Sequence, residues 1–505
     1  MPIKMLYKLY LALGITVVIT LAGCLFLFLD KRRSFWKDRN FPCTGRAQLL
    51  YGDYKNMNQT EHLQEINQRL YREFKARGLS IGGTFLFIVR SVIIVDPELI
   101  KAILVKDFNY FHDRGVYNNA EVDPMSGHLF SLEGQAWRQL RAKLSPTFTS
   151  GKMKMMFGTI LRVAEDLKEF LLENTANGAV ELEMKNVLAG FTTDVIGSCA
   201  FGIECNSLRS THCRFREVSR KIFDQSAWQM MWMIVLMTFK GVATAFKLKA
   251  TPAEIERFFT NMVQETIEQR ERNHVQRNDF MNLLIQMKNS DKLEEKLTMN
   301  EITAQSFIFF VAGFETSSTT MVNCLYELAQ NPDIQEKLRG EIFKTCGDGQ
   351  LTYESVSSVE YLNMVIDETL RKYPTVDSLM RTSSKDYQIP DSDLMIPERT
   401  FVLIPTYAIH HDPEYYPDPD RFDPERFNAE NRTSRHPFVY LPFGEGPRNC
   451  IGMRFGLMQT RVGLITLLRQ FRIRASDNTP PRLVVDPKTS IPSHRGGVPL
   501  LIERI

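Results

Sequence analysis

The chain has 505 residues, 44% hydrophobic and 24% charged, a balance that excludes global disorder. Formal net charge is only +3, and it is unevenly placed. Lys4, Lys8, Lys31, Arg32, Arg33, Lys37 and Arg39 against Asp30 and Asp38 put +5 in the first forty residues and leave −2 for the rest. No basic field remains for nucleic acid, and eight cysteines without C-x-x-C spacing exclude a disulfide framework or zinc site and suit a reducing compartment.

Leu9 to Leu29 is apolar apart from Thr16 and Thr20. As a helix this run spans roughly 31 Å, the thickness of a bilayer's hydrocarbon core. It is long for a cleaved signal peptide and lacks a small-x-small site, so it reads as a signal anchor. Basic residues after it outnumber those before it, which by the positive-inside rule leaves the body in the cytosol.

From Glu61 to Arg77 charged and apolar residues alternate at helical spacing. Gly82-Gly83 then leads into two β-rich runs, Phe85–Val89 and Val92–Val95, that predict a hairpin. His112 to His128 has no clear period and reads as a long loop. Trp137 and Arg141 sit four apart in a helical run, hence on one face. Residues 227–239, rich in Met and Trp, are too short to cross a membrane. They read either as a buried core helix or as a soft roof over a substrate channel that dips into the bilayer.

Thr298-x-x-Glu301 is a capping-box signature that opens a helix predicted to run to about Ala329. Apolar Phe307–Val311 precedes Ala312-Gly313-Phe314-Glu315-Thr316-Ser317. A glycine and an acid in mid-helix are locally costly, which is where function overrides propensity. Gly313 is expected to leave room for a ligand against the backbone. Glu368 and Arg371 lie three apart on a helix ending near Pro374. The eight prolines from Pro405 to Pro447 predict an irregular meander, in which His410 and His411 are expected to serve loop hydrogen bonding.

The stretch Phe443-Gly444-Glu445-Gly446-Pro447-Arg448-Asn449-Cys450-Ile451-Gly452 places one cysteine before an apolar helix from Met453 through Leu468. Backbone N–H groups at a helix mouth stabilise a thiolate and are expected to lower its pKa. Gly446 and Gly452 are expected to let the backbone approach something flat. The pattern F-x-x-G-x-R-x-C-x-G is matched at every fixed position and resembles the haem-binding loop of the cytochromes P-450.

The resemblance runs from about Glu61 to the C-terminus and implies a mainly α fold with a smaller β portion. It divides the chain into a flank 1–8, a transmembrane signal anchor 9–29, a basic linker 30–60 and a catalytic domain 61–505. It implies that Cys450 is the axial ligand of haem b, whose thiolate favours O–O cleavage. Thr316 would donate a hydrogen bond to bound dioxygen, and Glu315 would help relay protons. Trp137, Arg141 and Arg381 would meet the haem propionates, joined by Arg448, with Phe443 and Gly313 also against the cofactor. Arg114, at the start of the loop that covers the substrate, is placed near a propionate. Glu368, Arg371 and Arg426, the last in Pro424-Glu425-Arg426-Phe427, would brace the cysteine loop.

Phe111-His112-Asp113-Arg114-Gly115 and the Ala312–Thr320 stretch look most like insect microsomal members that oxidise foreign lipophilic compounds. The implied reaction inserts one atom of O2 into a lipophilic substrate. Electrons would come from NADPH through a separate flavoprotein reductase, with cytochrome b5 as a further partner, because no Gly-x-Gly-x-x-Gly fingerprint is present. The implied location is the cytosolic face of the endoplasmic reticulum membrane, the microsomal fraction. Thr375 and Asp377 depart from the usual pattern and leave the substrate open. A hormone or fatty-acid hydroxylase, a haem-thiolate isomerase and a non-catalytic haem binder remain alternatives.

Overall fold

The structure, a computed structural model, describes residues 2–210, 214–223, 227–292, 294 and 296–505. Helix α1 (Pro2–Ser34) is uninterrupted, and its Tyr10–Ser34 stretch is long and apolar enough to cross a membrane, with its apolar window uncovered by the rest of the chain. Within the stretch expected as a linker, Trp36, Phe41, Gly52 and Tyr54 are buried. Trp36 is fully buried, its indole N–H donates to the Thr84 carbonyl at 3.0 Å, and Phe41 lies 4.6 Å from its ring. Burying two aromatic side chains outweighs the local basic character of the segment.

Helix α2 (Leu63–Ala76) opens on a reciprocal capping box between His62 and Glu65. Strands β1 (Ile81–Leu86) and β2 (Val89–Ile94) pair antiparallel, Ile81 opposite Ile94. The hairpin is present, but its turn is at Phe87-Ile88 rather than after Val89, with Phe87 at φ 55°. Gly82 and Gly83 lie inside β1 and do not merely lead into it. A Cβ on Gly83 would stand 2.8 Å from the Trp36 ring, and one on Gly82 would meet the Phe74 ring. Aromatic faces laid flat on the strand require glycine there, and alternation in the sequence carries no trace of them.

The chain continues through α3 (Gly134–Leu144), α4 (Ser150–Asn174), β3 (Val180–Glu183), α5 (Met184–Ile196), α6 (Ala227–Thr238) and α7 (Ala253–Arg272). The long helix α8 (Met299–Gln330) follows, then α9 (Glu360–Lys372), β4 (Leu379–Thr382) and β5 (Phe401–Ile404). Helix α10 (Met453–Gln470) leads directly into β6 (Phe471–Ala475), and β7 (Pro499–Arg504) closes the chain. One sheet has the order β1-β2-β5-β4, with β2 and β5 parallel and β5 and β4 antiparallel. A second has the order β3-β7-β6, antiparallel throughout.

The larger apolar core surrounds α8 and gathers residues of α4, α5, α7 and α10; the smaller joins Trp36, α2 and the first sheet. Thr298 caps α8 through the predicted box. From Ser317 to Leu328 every residue of α8 is buried, so packing on all sides, not an amphipathic stripe, holds this half in place. One face of α6 packs through Leu236 on Tyr117 and Ala243, while Trp228 on the other face is 75% exposed. Short helical turns at Thr406–His410 and Ala429–Ser434 interrupt the proline-rich meander, which is less irregular than its composition predicts. Among the described residues Cys24, Cys43, Cys199, Cys324, Cys346 and Cys450 form no disulfide; Cys213 lies outside them.

Four histidines are held neutral by burial. His410 and His411 are pushed down to about 3, and His128 and His494 to about 4. The unfolded chain takes up these protons near pH 6.5 and the folded chain does not. Stability is therefore expected to fall as pH drops from about 6.5 toward 5, above the carboxylate range. Each histidine contributes about 1.4 kcal/mol per pH unit in that window. Denaturant midpoints measured at pH 7.5 and 5.5 should show the decline, and His410→Gln should remove about one proton from its slope. A flat profile would contradict the burial of these side chains.

Candidate active site

Cys450 sits in the loop between the meander and α10. Its N–H donates to the Phe443 carbonyl at 2.9 Å, closing the loop on itself. Gly444 and Gly446 have φ of 64° and 75°. At Gly446 a side chain would also collide with the Leu104 carbonyl, so the close approach it permits is to the protein's own backbone. A Cβ on Gly452 would meet nothing within 4 Å, leaving that side of the loop open.

The thiol is accessible, yet protein surrounds it at longer range, as at the wall of an enclosed opening. The expected lowering of its pKa is not met by the protein alone. Burial pushes the thiol up, against the opposing pull of the Gly452 N–H and the Arg141 and Arg114 guanidiniums.

Around this thiol the fold gathers four guanidiniums. Arg141 of α3 donates to the Asn449 carbonyl at 3.0 Å and to Asn449 Oδ1 at 2.9 Å. Arg448 donates to the His112 and Leu132 carbonyls at 2.7 Å each and stacks 4.1 Å from the Trp137 ring. Arg114 donates to the Arg448 carbonyl at 3.1 Å and to the Phe130 carbonyl at 3.0 Å. The Thr382 N–H bonds the Asp113 carbonyl at 2.8 Å, which draws this loop to β4 and so to Arg381.

Among the described residues the only carboxylate ion-paired with any of the four is Asp113, 3.6 Å from Arg448; Glu133, which also acts on Arg448, is itself paired with Lys240. Burial lowers Arg381 to about 10 and Arg448 to about 9, and it lowers Arg114 well below its usual range with Arg381 and Arg448 adding to the effect. Arg381 bonds only the Met380 carbonyl, and its Nε is buried without a partner. Cations buried in this excess call for a bound anion. A flat dianion with its carboxylates among these arginines and its metal at the thiol matches the donor set. Haem b fits these residues.

Helix α8 borders the same region, since it is tied to α10 just beyond the cysteine loop. Gln459 of α10 donates to the Gly313 carbonyl at 2.8 Å and to Ser317 Oγ at 2.5 Å, and the Phe309 and Phe455 rings lie 5.3 Å apart. Thr316 Oγ1 donates to the Ala312 carbonyl at 2.7 Å. Ala312 is exposed in mid-helix, so Ala312 and Thr316 share the open face.

Gly313 does not face that opening: a Cβ on it would stand 2.5 Å from Ile196 Cδ1, so this glycine serves the packing of α5 on α8. Gly313 is therefore not the residue that leaves room on the open face, where Ala312 is exposed. Glu315 is held by Lys185 of α5, whose Nζ lies 2.6 Å from Glu315 Oε1 and also donates to Thr319 Oγ1 at 2.7 Å.

On the far side of the loop stands a fully buried ion pair. Arg371 donates to Glu368 at 2.7 Å and 2.9 Å, and to the His410 carbonyl at 3.0 Å. The Asp423 N–H donates to Glu368 Oε1 at 2.9 Å, and Arg426 approaches the same oxygen at 3.5 Å. His410 Nε2 accepts from the Leu441 N–H at 2.9 Å, which carries the network to the start of the cysteine loop.

The sequence model of the family described as Cytochrome P450 matches residues 49–498. The chain belongs to the cytochrome P450 family. It is 41% identical to Cytochrome P450 6a2 of Drosophila melanogaster over 504 residues, 97% of this chain and 99% of that one. It is 41% identical to Cytochrome P450 6A1 of Musca domestica over 478 residues, 93% of each chain. Probable cytochrome P450 6a14 of Drosophila melanogaster matches at 41% over 97% of this chain. This cytochrome P450 is a monooxygenase, an oxidoreductase of a haem-dependent family whose similar members here are insect proteins. Two residues that carry its geometry have no signature in the sequence reading: Gln459 and Lys185. Each acts through a contact made across helices, and spacing along one helix does not reveal such contacts.

Proposed function

We propose that this cytochrome P450 is a membrane-anchored, haem-thiolate monooxygenase acting on lipophilic compounds, foreign ones among them, on the cytosolic face of the endoplasmic reticulum. The observation that carries the reading is the excess of buried guanidiniums around an accessible cysteine. Haem would be held there by Cys450 as its metal ligand, with Trp137, Arg141, Arg381, Arg448 and Arg114 toward its carboxylates, and would supply oxygen activation and accept electrons. Phe443 closes the loop behind the thiol. A separate reductase using NADPH, with cytochrome b5 as a further donor, supplies the electrons.

The protein's own part is to admit protons singly while excluding bulk water. Thr316 Oγ1 rests on the Ala312 carbonyl and can rotate to hold an ordered water on the open face of the helix. Glu315 begins paired with the Lys185 ammonium and passes protons inward when that contact opens. Residues 9–29 insert in the bilayer. The exposed face of α6, with Trp228 and Met231, rests on the membrane surface, where apolar substrates dissolve.

The open face of α8 gives the test. Positioned proton transfer contributes on the order of 10²–10⁴ in rate. Thr316→Ala should keep cysteine ligation and substrate binding yet divert NADPH to peroxide or water, while Thr316→Ser retains more coupling. The measurement is product formed per NADPH consumed with reductase present. An alanine variant as well coupled as the parent would leave Thr316 a packing residue.

A further inference from the structure

The end of α1 carries cations that neither the cysteine site nor the chain's carboxylates engage. Phe35 projects from the chain just after α1 and holds two of them: Arg39 stacks 3.8 Å from its ring centre and Arg90, from β2, 4.5 Å. Arg32 stands over the Phe28 ring at 5.3 Å, and its Nε is buried without a partner. The assembly is rigid because the next residue is the buried Trp36, seated on Gly83 and bonded to Thr84 of the same hairpin that supplies Arg90. Burial lowers Arg90, and Arg32, Arg39 and Arg399 lower it further, so these charges repel one another at short range.

The acids that could relieve them are occupied elsewhere. Asp30 pairs with Arg33 at 2.9 Å, Asp38 accepts from Ser34 at 2.6 Å, and Glu398 lies 3.4 Å from Arg399. Among the described residues none of Arg32, Arg39 and Arg90 has a carboxylate partner. Arg39 gives one N–H to the Phe35 carbonyl at 3.4 Å and Arg90 one to the Glu398 carbonyl at 3.5 Å; a guanidinium stacked on a ring has further in-plane N–H groups, the geometry that suits bonds to phosphate. Arg32 lies one turn beyond Leu29, about 5 Å along the helix axis past the last apolar residue. That is the depth of lipid headgroups.

We infer that Arg32, Arg39 and Arg90 around Phe35 form an anion site that takes the phosphate of an anionic membrane lipid at the junction of anchor and body. The inference rests on the reading of α1 as a membrane helix, which resistance to carbonate extraction tests separately. Full-length, haem-loaded protein in nanodiscs of phosphatidylcholine with phosphatidic acid is extracted into detergent, and retained lipid is counted by mass spectrometry. Phosphatidic acid should be retained about tenfold over phosphatidylcholine, and R39Q/R90Q should lose that preference. R33Q removes the same kind of charge from an arginine already paired with Asp30, and it should retain the preference. If the double variant fails to fold, R39Q alone, on the exposed side, should show the same loss at smaller size. Equal loss in R33Q, unchanged retention in R39Q, or no preference in the parent would overturn the site. Displacement of the lipid by millimolar inorganic phosphate would assign it to free phosphate and overturn the lipid.

Discussion

Glu368→Ala and Arg371→Ala should each yield protein that fails to retain haem. Both side chains are fully buried, and their pairing satisfies four polar groups at once: the carboxylate, the guanidinium, the His410 carbonyl and the Asp423 N–H. Removing one partner leaves an uncompensated charge in a dry site, which typically costs about 3–5 kcal/mol. The loss falls where the cysteine loop is held, because the meander from His410 to Asp423 leads through Leu441 to Phe443. The double variant should cost less than the sum of the singles, since neither charge is then stranded. Haem content per polypeptide, from absorbance after purification, reads the effect. Normal content in both single variants would mean that the pair does not support the loop.

The second large effect is at the thiol. Burial pushes Cys450 up, so the protein alone does not favour a thiolate; a bound metal would, by its own charge. Cys450→Ser and Cys450→His should therefore abolish monooxygenation while leaving the four guanidiniums in place. The arginines bond backbone carbonyls and Asn449 rather than sulfur. Cys450→His should still take up haem, with a histidine-type spectrum, and product per NADPH should fall to background. Retained turnover in either variant would place the ligand elsewhere.

The parts legible in the sequence were those written in local spacing. The capping box at Thr298, the extent of α8, the helix after Cys450 and the ion pair of Glu368 and Arg371 are each written in local spacing, and the structure has each of these elements. What was misread depends on contacts distant in sequence. Gly313 and Gly82 are glycines because Ile196 and Phe74 occupy the space a side chain would need, not because a ligand or a turn does. Trp36 makes residues expected as a linker part of the body through Gly83 and Thr84, forty-odd positions away. Nearby N–H groups in the sequence imply a lowered thiol pKa, but desolvation by the whole surround outweighs them.

The central claim, that Cys450 is the thiolate ligand of a haem iron, is tested most directly by the absorption spectrum of the reduced protein under carbon monoxide. The account predicts the red-shifted Soret band of thiolate-ligated haem in the parent and its loss in Cys450→His. A folded, haem-loaded parent that gave only the histidine-type band would contradict it.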